Sequence, residues 1–211
     1  MRPPKEFYRR RLPHYQPHGA TFFITSRLAG SLPSDVIVNL MRERDEGLAT
    51  MGREKDEVRR KRMESEEHRR YFGKLDRYLE SVSTGPDWLR QHDVASLVSE
   101  AIHHRDGKKY DLLSFCIMPN HIHLVVHGER SYASLYRILQ SLKAFTAGKA
   151  NRILGRSGPF WQHESFDHVV RDETELERIL WYILGNPVKA RLCQRWQDWQ
   201  WTYLKEALID R

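Results

Sequence analysis

The stretch "YDLLSFCIMPNHIHLVVHG", residues 110–128, decides the fold. Two apolar runs rich in β-branched and aromatic residues, 110–119 and 121–128, meet at Pro119-Asn120. Proline fixes φ and asparagine tolerates turn geometry, so the pattern predicts two antiparallel strands joined by a tight turn. Side chains alternate along a strand, so residues two apart share a face. Ile122, Leu124 and Val126 then point into a core, while His121 and His123 point together to the other side. Two readings stay open for that pair: ligands of a divalent metal, or hydrogen-bonded histidines on an ordinary strand. A third histidine arrives only at His127, with Val125 between, which departs from the unbroken alternation of histidine-triad nucleotide hydrolases.

Further strands and helices follow on either side. "ATFFITSRLAG" (20–30) is β-branched and ends on a glycine, hence a strand. "PSDVIVNLMRERDEGL" (33–48) has a capping Ser34 and helical spacing at Val36, Leu40 and Met41. Residues 42–80 are dense in charges of both signs and read as a solvated helical excursion, with the whole insertion spanning about 33–100. Helical spacing returns over 93–107 and over 131–155, where Leu135, Ile138, Leu139, Leu142 and Phe145 form one stripe. "GPFWQHESFDHVV" (158–170) reads as a strand and "DETELERILWYILGNP" (172–187) as a helix stopped by Pro187. The expected class is α+β, a βαββαβ antiparallel sheet with helices on one face, leaving the other for a ligand and a terminal helix. One domain over 1–211 is expected, with a basic arm at 1–19 and a helix and aromatic tail at 172–211.

Composition narrows the partner. Lys and Arg number 35 against 28 Asp and Glu, a net +7, which favours a polyanion. Between Glu129 and Glu164 there is no acid, while Arg130, Arg137, Lys143, Lys149, Arg152 and Arg156 fall there with five aromatic residues. Cations of one sign can grip phosphates and aromatic rings can stack unpaired bases, so this belt is the candidate nucleic-acid face. Only Cys116 and Cys193 are present, too few for a disulfide framework or a cysteine zinc motif, and a reducing cytoplasm is the expected setting. The basic start has no apolar leader core and no run approaches the ~20 apolar residues of a membrane span, so no membrane role is expected.

With Leu176, Ile179, Leu180 and Ile183 taken as the buried stripe of the 172–186 helix, Tyr182 falls about 120° from its centre. Asn186 lies one turn on, near the same flank, as does Glu175. Proline after Asn186 disfavours helix there and is expected to leave its amide free to reach outward. A tyrosine at a core edge and a helix-capping asparagine would give the same spacing.

Together, "MPNHIHLVVHG", "GPFWQHESFDHVVRDE", "YILGNPVKARL" and "WQDWQWTYL" resemble the single-tyrosine HUH transposases of bacterial insertion sequences, and among them the REP-associated tyrosine transposases. The resemblance covers most of 17–204 and is least specific at 33–100. It implies a ferredoxin-like sheet with the tyrosine on a C-terminal helix. It implies that His121 and His123 bind Mg²⁺ or Mn²⁺, that Asn186 is a third ligand and that Tyr182 is the nucleophile. It further implies cleavage and rejoining of single-stranded DNA near REP-like hairpins, in the cytoplasm at the nucleoid, by a monomer or a homodimer. A His-His-Asn donor set also admits manganese, cobalt or zinc. Glu164, Asp167 and His168 are candidates to sit beside the metal or hold a histidine tautomer. Only one tyrosine precedes the Asn-Pro, which disfavours a two-tyrosine replication initiator. The alternative is a protein that keeps hairpin binding and has lost turnover.

Overall fold

The structure, a computed structural model, describes residues 7–9, 13–15, 17, 19–51, 55–81, 84–128 and 134–209. They fall into two compact units, Met1–Ala29 with Asp87–Arg211, and Gly30–Pro86.

The first unit is built on a five-stranded antiparallel sheet. In chain order the elements are β1 (Phe7–Arg9), β2 (Pro13–Tyr15), β3 (Thr21–Arg27), α3 (His92–His103), β4 (Asp111–Ile117), β5 (His121–His127), α4 (Leu135–Ile153), β6 (Phe166–Val170), α5 (Glu173–Lys189) and β7 (Thr202–Leu204). Strand order is β6-β3-β5-β4-β7, with every neighbouring pair antiparallel. Strand, helix, two strands, helix, strand is the order the apolar pattern predicts. Of the 1–19 arm, β1 and β2 pair with each other, Phe7 opposite Tyr15, and much of the rest lies outside the described residues.

Alternation sorts the sheet into two faces. Phe22, Ile24, Ile122, Leu124, Val126, Phe115 and Ile117 enter the main core with Val94, Val98 and Ile102 of α3 and Ile138, Leu139 and Leu142 of α4. Register sets Phe23 beside Val125, Thr25 beside His123 and Arg27 beside His121, so these side chains share the opposite face. That face receives α5: the Tyr182 ring is 6.3 Å from that of Phe23.

Three expectations change. The helix does not stop at Pro187 but runs to Lys189. The steric bias against helix before proline is overcome because Asn186 and Pro187 are buried. Termination comes instead at Arg191 (φ 57), where Arg191 N donates to Val188 O (2.9 Å) and Leu192 N to Pro187 O (2.8 Å), a Schellman closure. The last predicted strand is shorter than 158–170, because only Phe166–Val170 pairs continuously with β3. The helix at 92–103 is core of the sheet unit, so the inserted unit ends at Pro86 rather than near 100. The aromatic tail adds an unforeseen edge strand, β7, on β4.

The second unit pairs α1 (Ser34–Met51) with α2 (Glu57–Ser81). Leu40, Tyr71, Leu75 and Leu79 are buried, and exposed charges pair along each helix, as Arg42–Glu46 and Arg62–Glu66, while Lys74 pairs with Glu43 across the two. Gly47 lets Glu67 lie against α1, since a Cβ there would meet the carboxyl at 2.8 Å. Among the described residues no helix is long and apolar enough to cross a membrane.

Candidate active site

His121 and His123 are held by β5, the middle strand of the sheet, and both are buried. Their side chains converge: His121 Nε2 and His123 Nε2 lie 3.0 Å apart. The far nitrogen of each ring has its own partner. Asn120 Oδ1 accepts from His121 Nδ1 at 2.6 Å, and Thr25 Oγ1 lies 2.9 Å from His123 Nδ1. With the proton on Nδ1, as Asn120 requires for His121, the Nε2 lone pair faces inward. Burial pushes His121 down to about 3 and His123 well below the usual imidazole range, so both rings are neutral at neutral pH. With His123 also protonated on Nδ1 and donating to Thr25 Oγ1, two lone pairs at this distance repel unless a cation lies between them. Adjacent ligands about 2.1 Å from one ion at a right angle are about 3.0 Å apart, so the pair fits a divalent metal.

The tyrosine comes to this pair from α5. Tyr182 stands edge-on to His123, ring centroids 5.8 Å apart, and Phe23 stacks on His123 at 5.6 Å while meeting Tyr182 at 6.3 Å, so the three rings form one cluster. Lys189 Nζ lies 5.5 Å over the Tyr182 ring, and its charge helps hold His123 neutral. Asn186 is between these two on the helix, one turn from each, and therefore faces the same sheet surface. It is 0% exposed, and neither its amide oxygen nor its nitrogen has a hydrogen-bond partner among the described residues. A buried amide without partners costs about 1–3 kcal/mol, a cost that a coordinated ion removes. The two imidazoles thus fit a divalent cation, and Asn186 brings a buried amide without partners on the helix that faces them. The orientation predicted for Asn186 is corrected in one respect: the amide points inward from a continuing helix, not outward from a helix end.

The other candidates separate. His168 shares the imidazoles' face, opposite Phe23 in register, but its Nε2 pairs with Glu175 Oε1 at 3.2 Å. Asp167 is on the other face, beside Ile24, and cannot orient either histidine. Glu164 lines a cavity of about 310 Å³ beside α4 together with Asp167, Lys143 and Trp161. His127 lies four residues beyond His123, ~13 Å along the strand, and its Nδ1 is 3.0 Å from Thr21 Oγ1, so the three-histidine reading has no common centre. Cys116 neighbours His123 in register, yet burial pushes its thiol up to about 12, which keeps it protonated.

In the basic belt, Arg137, Lys149 and Arg152 are exposed on α4, and Lys149 Nζ caps the half-exposed Phe145 ring at 4.6 Å. Lys143 turns inward, donating to Gln162 O at 2.9 Å, and burial lowers it to about 7. Arg156 stacks on Trp88, 3.8 Å from the ring centroid. Arg130 lies outside the described residues.

Asn120 and Thr25 are the residues the motifs alone do not single out. Asn120→Ala is expected to weaken Mn²⁺ binding about 10–100-fold, measured by calorimetry, without unfolding the chain. The clamp at the start of α5 gives a pH effect. Burial opposes ionisation of Glu175, but Arg171, donating from N, Nε and Nη2, holds its carboxyl down at about 2. A depressed carboxyl stabilises the fold fully above the ordinary carboxylate range and loses that contribution as pH falls towards the folded value. Titration from pH 5 to about 2 is therefore expected to loosen α5, read as rising hydrogen exchange at its N-terminal turns.

An antiparallel α+β sheet that presents a histidine pair from a central strand to a helix-borne tyrosine is the framework expected of a single-tyrosine HUH protein. Residues 87–186, which hold the pair, the tyrosine and Asn186, match the family described as "Transposase IS200 like". A Haemophilus influenzae protein named "Putative REP-associated tyrosine transposase" is 28% identical over 102 residues, 44% of this chain and 58% of that protein, so the match spans little more than half of that relative. A solved structure of a REP-associated tyrosine transposase bound to a REP hairpin superposes with a TM-score of 0.52 at 16% identity, covering 92% of this chain and 80% of that one, which supports the shared fold. The family match over 87–186 and the Haemophilus relative bear out the resemblance carried in the sequence by four short motifs, and the solved structure adds the fold.

Proposed function

We propose that this protein is a metal-dependent transesterase that cleaves and rejoins single-stranded DNA beside hairpins, with Tyr182 as nucleophile. The observation that carries the reading is the convergence of the two imidazole Nε2 atoms, 3.0 Å apart, with the Tyr182 ring edge-on to His123. A phenol has an ordinary pKa near 10 and is a weak nucleophile at neutral pH. A divalent cation held by His121, His123 and Asn186 would supply positive charge at the scissile phosphate. Around it, Asn120 and Thr25 fix the ring orientations, and Phe23 walls the histidine side of the tyrosine. The Tyr182 oxygen, giving up its proton, forms a bond to phosphorus while the bond to the 3′-oxygen breaks, and that oxygen leaves as a 3′-hydroxyl. The product is a 5′-phosphotyrosine, and attack by another 3′-hydroxyl reverses the step without a nucleotide cofactor. That reversibility is the physical reason to use tyrosine where a nuclease uses water.

The hairpin substrate rests on the exposed Arg137, Lys149 and Arg152 of α4 and on the relatives' association with REP sequences. The test is incubation with a single-stranded hairpin oligonucleotide and Mn²⁺, followed by denaturing electrophoresis. A protein–DNA adduct that EDTA prevents is expected. Tight hairpin binding with no adduct under any divalent metal would instead assign the protein to DNA binding without turnover.

A further inference from the structure

The outer side of α5 carries a feature that the cleavage chemistry does not use. Trp181 is 62% exposed. It sits about 200° around the helix from Ile183, which is 0% exposed at the middle of the buried side. Tyr182 lies between the two, at the edge of the buried side, so the outer surface continues directly from the candidate active site. One turn beyond Trp181 is Gly185, where an added Cβ would meet nothing within 4 Å. The flank of the indole therefore opens onto bare helix backbone, and Val188, 37% exposed, extends the apolar strip.

Glu177 is exposed one turn before Trp181, and beyond it the charge along the strip is cationic. Between Glu177 and Asp198 there is no acidic residue, while Arg178, Lys189, Arg191 and Arg195 fall in that span. Arg195 is answered by Asp198 at 2.8 Å, and Arg178, Lys189 and Arg191 are exposed around the strip. A flat apolar ring flanked by cations suits a planar ring on a polyanionic backbone. It suits a second copy of this chain poorly, because a two-fold contact would set these cations against themselves.

We propose that Trp181, with the open shelf at Gly185, stacks one unpaired base of the single strand next to the phosphate that Tyr182 attacks, while Arg178 and Arg191 face its phosphates. The inference rests on the reading of Tyr182 as nucleophile for the identity of that phosphate. Consecutive residues have Cα atoms ~3.8 Å apart and point about 100° away from each other, so one nucleotide can reach both side chains.

The test is equilibrium binding in EDTA, where no cleavage occurs, so its outcome is independent of whether the adduct forms. The probes are a hairpin oligonucleotide with a short unpaired flank, the same hairpin blunt-ended, and a series with one abasic position walked along the flank. Trp181→Ala is expected to bind the flanked hairpin about 5- to 100-fold more weakly and the blunt one unchanged, with Trp181→Phe retaining most of the affinity. One abasic position should weaken the wild type by a similar factor and leave Trp181→Ala no worse. Equal affinity of Trp181→Ala and wild type for the flanked hairpin, or no abasic position coupled to Trp181, overturns the proposal. So does sedimentation showing a wild-type dimer that Trp181→Ala dissociates, which assigns the strip to a second copy. Circular dichroism melts of both variants establish that they are folded before binding is compared.

Discussion

Tyr182→Phe is expected to abolish the covalent protein–DNA adduct and lower strand cleavage at least about 10³-fold, while hairpin affinity stays within a few-fold of wild type. The substitution removes one oxygen. The phenyl ring keeps its edge contacts to His123 at 5.8 Å and Phe23 at 6.3 Å, and Lys189 still caps it. Packing of α5 is anchored elsewhere, through Leu180, Ile183 and Leu184 in the buried side and through the Glu175 clamp. Folding and metal binding should therefore be unchanged, and the loss is confined to the bond-forming step. Denaturing gels with end-labelled oligonucleotide measure it directly. An adduct of wild-type yield in the phenylalanine variant would remove Tyr182 from the chemistry.

His121→Ala and His123→Ala are expected to give the second large effect. Each removes one of the two inward lone pairs, so Mn²⁺ affinity should fall by at least about 100-fold, beyond the cost of disturbing an outer partner. Activity should fall with it and recover in part at high Mn²⁺. Each variant also leaves a void on the sheet, and His123→Ala removes the ring on which Phe23 stacks. Melting temperature in EDTA separates that packing loss from the metal effect. In wild type, Mn²⁺ should raise the melting temperature; in either variant the increment should vanish. A metal-dependent increment that survives both substitutions would place the ion elsewhere.

How much of this could be read from residues alone depends on how local each feature is. The histidine pair was legible because alternation on a strand is a two-residue rule and Pro119-Asn120 fixes where the strand starts. Asn120 is in the same motif, but its role depends on a side-chain turn towards His121 Nδ1 that no spacing encodes. Thr25 is nearly a hundred residues away and becomes a partner only through the β3–β5 register. Asn186 stands out by its position on the tyrosine's flank, but local proline sterics predict a helix end there, and burial of the turn overrides them. Asp167 and His168 are neighbours in sequence, and strand alternation sends them to opposite faces. Their assignment depended on where β6 begins, which the "GPFWQHES" lead-in obscures. β7 is three residues long, and its pairing with β4 is decided by the end of β4 rather than by its own composition.

In the proposed reading one divalent ion, held by His121, His123 and Asn186, lies beside the Tyr182 oxygen. Crystals of the protein with a hairpin oligonucleotide and Mn²⁺, measured at the manganese absorption edge, test it most directly. A single anomalous peak bonded to both Nε2 atoms and to the Asn186 amide oxygen, with the phenol directed at a phosphate on that ion, is the predicted result. A peak remote from the imidazoles, or a Tyr182 hydroxyl turned away from every phosphate at the ion, would contradict it.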